Sequence, residues 1–350
     1  MRPAGSLRCD GGQAHEGVVF ERLLDSASPA AGAEVLAAGM VSVALWLDHQ
    51  ETFSRILLVV AAMFWLTFAV LVPVRAVRDR GRFLAEVRAP VALGSVAGAA
   101  ILGVGLVTIL GWRWAGIALL AIAMLLWLAL LARVLGSWKV PTVGASLLLA
   151  VSTESLSVLA ATLAPSEHAG WLLVGALAPF ALGLCFYVFV MVRFDPRQLG
   201  IGPGDHWVTG GALAISALAA GKIAARAKPL SVLGGGGGFL KDLAVLLWVL
   251  AILWLPLLVL AEALRPRLHY DVSRWSMVFP VGVYAAGSYV VRAVASADAI
   301  SSFARVWVWV ALAVWTVVFF ALVHRTVKVL AAQTRGPRRG GEHTSKHRAG

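Results

Sequence analysis

The chain has 350 residues, 60% of them hydrophobic, and a mean hydropathy of +0.84. Its apolar residues come in blocks of roughly 20, enough to cross a bilayer core of about 30 Å, so the composition excludes an ordinary soluble domain. The net charge of +12 is large enough for a nucleic-acid binder, but its basic residues sit between apolar blocks and in the tails, where they report topology instead.

In chain order, residues 1–28 form a polar N-terminal tail. They carry no apolar run before a small-residue site, so no cleaved signal peptide is expected. Ten apolar spans follow, at 29–47, 53–74, 90–110, 114–135, 144–164, 170–192, 207–226, 239–264, 276–295 and 303–329. Span 7 is the weakest, being short of large apolar side chains and ending in Lys222 and Arg226. The run Gly234–Gly238 has no preceding strand and no Gly-Lys-Ser/Thr, so it reads as a flexible linker and not as a phosphate cradle. Residues 331–350 are basic and Gly-rich and are expected to be a disordered tail.

Cysteine and histidine offer no metal chemistry. Cys9 lies in the tail and Cys185 in mid-span 6, with no Cys-x-x-Cys spacing. The eight histidines, His206 among them, fall in tails, loops or span ends and read as solvated. No metal and no cofactor is expected.

Charge orients the spans. With both termini cytoplasmic, nearly three-quarters of the Lys and Arg fall on the cytoplasmic side, most densely at Arg75, Arg78, Arg80, Arg82 and Arg88. Lys222, Arg226, Lys228 and Lys241 cluster against this bias on the outer side.

Gly, Ala, Ser and Thr make up about half of the odd-numbered spans and under a quarter of the even ones. Nine of the 14 tryptophans lie in even spans. Small, weakly polar helices pack closely or line a path, whereas bulky apolar ones face lipid. The pattern therefore predicts an all-α membrane protein: ten transmembrane helices as five helical hairpins, the odd helices inside and all parallel. Close packing explains Gly94-x-x-x-Gly98. It explains less well the hydroxyls Ser152, Thr153, Ser155 and Ser157 in span 5, or Thr209 and Ser216 in span 7, which fit a lined path.

The stretch Tyr270–Tyr289 carries Trp275, Ser276, Phe279, Pro280, Gly282 and Tyr284 in the pattern Trp-Ser-x-x-Phe-Pro-x-Gly-x-Tyr/Phe. It resembles the ninth helix of the tellurite-resistance/dicarboxylate transporter family, which includes the plant slow anion channels. The segment from Trp207 to Ala219 is similar to that family's helix 7. Glu34 to Ser42 is a looser match to its helix 1, with Ala38 in place of the usual Thr. The resemblance covers about residues 29–330. It implies five hairpins around a central pore lined by odd helices, a homotrimer in the plasma membrane, and transport of small inorganic or organic anions. It also implies that Phe279, the best-matched position, occludes the pore.

Read from the residues alone, Phe279 either packs against a neighbour or plugs a narrow path. Pro280 lacks an amide hydrogen and so allows the backbone to bend beside it. Glu154, at the centre of span 5, is either protonated or paired with a cation, for which Lys222 and Arg292 are candidates. Those two cations also have the sign to draw anions into an outer vestibule, or Lys222 simply snorkels. Glu34 reads as a structural hydrogen-bonding group. Two functions remain in competition: a channel-like anion conductor, and a proton-coupled carrier exporting four-carbon dicarboxylates, sulfite or tellurite-type oxyanions through Glu154. The spans hold no paired catalytic acids and no Ser/His/Asp set, so an intramembrane enzyme is not expected.

Overall fold

The computed structural model of the chain describes residues 32–164, 170–201, 204–227, 233, 235–265 and 274–334. Ten main helices are seen: α1 Gly32–Leu47, α2 Glu51–Arg78, α3 Gly94–Leu110, α4 Arg113–Gly136, α5 Leu148–Leu163, α6 Gly170–Met191, α7 Val208–Ala227, α8 Gly236–Leu264, α9 Trp275–Ala295 and α10 Ala299–Thr334. Among the described residues, nine of them are long and apolar enough to cross a membrane, and α1 is a shorter apolar helix.

The odd helices close a ring. α1 packs on α3, α3 on α5, α5 on α7, α7 on α9, and α9 back on α1. Each even helix packs on the odd helix before it, which makes five hairpins. Burial follows the same division. The membrane windows of α3, α5, α7 and α9 are 67–100% buried, and those of the even helices 17–28%. In α1 every residue from Gly32 to Leu45 is buried. Span 7 looked weak in hydropathy because an enclosed helix needs small side chains, not large apolar ones.

Glycine lets the ring close at its tightest points. A Cβ on Gly98 of α3 would lie 2.7 Å from the Gly32 carbonyl oxygen of α1. One on Gly144, at the entry to α5, would lie 2.2 Å from the Asp205 carbonyl oxygen at the entry to α7. Polar links then fasten ring to belt. Ser42 and Ser54 each donate to the other's carbonyl, at 2.7 and 2.9 Å. Trp127 Nε1 donates to Thr153 Oγ1 at 2.9 Å, and Trp248 Nε1 to Ser288 Oγ at 2.8 Å.

Several expectations are corrected. Gly236–Gly238 form the first turn of α8 and are not linker. A first turn tolerates glycine because its amides have no intrahelical partner in any case. α10 extends through Thr334, so the tail begins later than residue 331, and 335–350 lie outside the described residues. α9 runs unbroken through Pro280, whose position early in the helix removes one amide, the one facing the Ser276 carbonyl. His206 is fully buried, not solvated.

Candidate functional site

Phe279 is almost fully buried on α9. The neighbours of α9 fix which way it faces. Pro280 packs on Gly211 of α7, where a Cβ would come within 2.8 Å of the ring. A Cβ on Gly287 would likewise lie 3.1 Å from the Ala214 carbonyl oxygen of α7. A Cβ on Gly282 would lie 3.1 Å from the Val41 side chain of α1. Tyr284 and Ser288 reach the other way: Tyr284 Oη donates to the Ala251 carbonyl of α8 at 2.8 Å, and its ring meets Trp307 of α10. At about 100° per residue, Phe279 and Val283 fall on the arc between the α7 and α1 contacts. That arc is the side of α9 turned away from α8 and α10.

The α5 hydroxyls do not share one face. Thr153 meets Trp127 of α4, and Ser157 Oγ donates to the Ala176 carbonyl of α6 at 2.7 Å. Leu159 packs toward Gly103 of α3. Ser155 falls between the α3 and α7 contacts and donates to its own helix at Val151. Ser152 donates to Leu149 in the same way. All are buried, hidden from lipid by the belt as much as by any inward orientation.

Glu154 is fully buried and lies where α5, α6 and α7 meet. Its Oε1 accepts from Ser216 Oγ at 2.6 Å, and its Oε2 has no hydrogen-bond partner among the described residues. Gly183 of α6 makes room for it: a Cβ there would lie 2.3 Å from Glu154 Cγ. Of the two alternatives for Glu154, pairing with a cation is not seen among the described residues: its partner is a serine, and Arg292 pairs with Asp298 at 3.3 Å, in the turn to α10. One turn beyond Gly183, Tyr187 borders a cavity of about 420 Å³ with Leu213 and Trp254, between α6, α7 and α8.

Lys222 is half-buried near the end of α7, on the inward arc beside the α9 contact. Thr209 donates to the His206 carbonyl at 2.7 Å and serves the start of α7. Glu34 is buried in the first turn of α1.

A charged cluster at the entry face had no counterpart in the sequence reading. Asp205 Oδ2 accepts from the Ala145 amide at 2.8 Å, tying the entries of α5 and α7. His206 Nε2 lies 4.0 Å from Glu262 of α8, and Arg274, just before α9, reaches the same carboxylate at 3.5 Å. These four residues come from three helix ends, the entries of α7 and α9 and the end of α8, and meet only in the fold. Among the described residues no group of three or more His, Cys, Asp or Glu is placed to hold a metal ion.

A sequence profile of the voltage-dependent anion channel family matches residues 26–323, from before α1 into α10. The chain belongs to that family. The match takes in the whole ring and bears out the resemblance carried by α1, α7 and α9. Two uncharacterized membrane proteins of Mycobacterium tuberculosis, from strains CDC 1551 / Oshkosh and ATCC 25618 / H37Rv, are each 30% identical over 163 residues. The alignment covers 45% of this chain and 81% of each relative. Family membership and the apolar helices together make this a multi-pass membrane protein.

Proposed function

We propose that the ring of odd helices encloses a path for small anions and that Phe279 narrows it. The observation that carries this reading is the placement of Phe279: a buried aromatic ring on the inward arc of α9, locked in register by Pro280 against Gly211. Membership of an anion channel family supplies the class of cargo. An apolar ring in a narrow path closes it by steric block and dewetting. Ser155 on α5 and Lys222 on α7 also fall on inward arcs, where a hydroxyl and a cation suit an anion. Phe279→Ala, reconstituted in proteoliposomes, should raise chloride and nitrate flux severalfold. An unchanged flux in correctly folded protein rejects the gate. In this reading the protein sits in the plasma membrane with both termini cytoplasmic and assembles as a homotrimer.

A second reading is favoured by one observation, the unpartnered Oε2 of Glu154. A buried carboxyl that lies on the α5–α7 contact suits a proton-coupled carrier of dicarboxylates, sulfite or tellurite-type oxyanions better than a simple conductor. Glu154→Gln keeps the shape and the Ser216 hydrogen bond while removing the titratable group. If flux is driven by a proton gradient, this variant should abolish the drive and leave downhill flux. If the protein conducts passively, a proton gradient changes nothing in either form.

A further inference from the structure

Between α1, α2, α3 and α4 lies an apolar groove of about 270 Å³ that the anion path does not use. Trp65, Phe68 and Pro73 of α2 form one wall, and Leu126 and Leu130 of α4 the other. The groove follows α2 from Trp65 to Pro73, about 12 Å at 1.5 Å per residue. It opens between two belt helices, the ones whose surfaces meet the acyl chains of the bilayer.

Its end near the entry face is closed by a short helix, Arg80–Glu86. Phe83 of this helix and Val87 just after it turn into the groove. The polar side of the same segment carries Arg80, Arg82 and Arg88, all exposed, with Arg78 exposed at the end of α2. Arg75 and Arg82 hold Glu86, and Asp79 caps the short helix through the Arg82 amide. Residues 75–88 hold five arginines and two acids, and four of the arginines are exposed, so this segment brings a net positive charge to the mouth of the groove. An apolar slot opening to lipid, with a cationic rim at the depth of the headgroups, has the chemistry of one kind of molecule: an amphiphile with an anionic head.

We propose that this groove is a binding site for an anionic phospholipid, one acyl chain lying along α2 and the headgroup phosphate resting on the arginine rim. The short helix is the sorting element, since one face of it closes the slot and the other supplies charge. Ala69 lines the groove from an exposed position of α2 and gives a way to fill it without disturbing the core.

The test uses the full chain in detergent, followed by native mass spectrometry and thermal unfolding. It is titrated in turn with dioleoyl phosphatidylglycerol, dioleoyl phosphatidylcholine and inorganic phosphate. The site predicts a retained phosphatidylglycerol adduct and a raised unfolding temperature, with weaker retention of phosphatidylcholine and no effect of phosphate alone. Arg80→Gln combined with Arg88→Gln should weaken phosphatidylglycerol binding by about fivefold per arginine and bring it toward the phosphatidylcholine value. Ala69→Trp should reduce retention of both lipids. Both arginines are exposed, so the charge arm stands even if Ala69→Trp fails to fold. Equal retention of the two lipids by the unaltered chain overturns the proposal, as does the same stabilisation by phosphate alone. So does binding that neither variant changes. An oligomer that Ala69→Trp dissociates, with no lipid adduct in the unaltered chain, assigns the groove to a second copy and also overturns it.

Discussion

Gly98 of α3 and Gly175 of α6 are both glycines in apolar helices, yet they stand in opposite surroundings. A Cβ on Gly98 would press on the backbone of α1, at 2.7 Å from the Gly32 oxygen; one on Gly175 would meet nothing within 4 Å. The difference runs through the whole molecule. Ring helices are packed backbone to backbone, so their small residues answer to neighbouring protein. Belt helices answer to lipid on most of their surface, and their bulky residues are loosely constrained there. Mean hydropathy follows the division but not cleanly: the ring windows of α3, α5, α7 and α9 run from 1.4 to 2.2 and the belt windows from 2.2 to 2.9, so α3 and α6 score alike. Side-chain volume separates them, because only small side chains let helices approach closely.

That contrast can be broken at specific positions. Gly144→Ala drives a methyl group into the Asp205 carbonyl and should cost about 3 kcal/mol, seen as a lower unfolding temperature in detergent. Gly98→Ala should cost about 2 kcal/mol by the same measurement. Trp127→Phe removes one ring-to-belt hydrogen bond while Thr153 keeps its bond to Leu149, and should cost about 1 kcal/mol. Gly175→Ala, on the open face of a belt helix, should stabilise by about 0.5 kcal/mol through helix propensity. If Gly98→Ala and Gly175→Ala shift stability equally, the division between ring and belt carries no energetic weight.

Much of this arrangement was legible beforehand because it rests on local composition. The alternation of small and bulky spans anticipated which helices are enclosed, and the Trp-Ser-x-x-Phe-Pro pattern pointed to α9. What escaped was whatever depends on meeting across the fold. Glu154 was expected to be protonated or to find a cation, since lone charged acids inside membranes are costly. It found Ser216, which lies 62 positions away and had been read only as a path-lining hydroxyl. His206 looked solvated because it stands at a span end beside polar residues, and Arg274 drew no reading at all. They are buried because the entries of α7 and α9 and the end of α8 converge on Glu262. The hydroxyls of α5 misled in another way: burial among protein explains them without placing them on one face.

The parallel course of the ring helices has an electrostatic consequence of its own. The entries of α1 and α3 touch, as do those of α5 and α7. All five ring helices thus present their amide-rich ends to a single face, each equivalent to roughly half a positive charge. The compensating carbonyl ends of the belt helices reach the same face outside the ring. A radial dipole layer results, positive at the axis and negative at the rim. It favours an anion at the axis before any arginine or lysine is counted, and no side-chain substitution that preserves the helices can remove it.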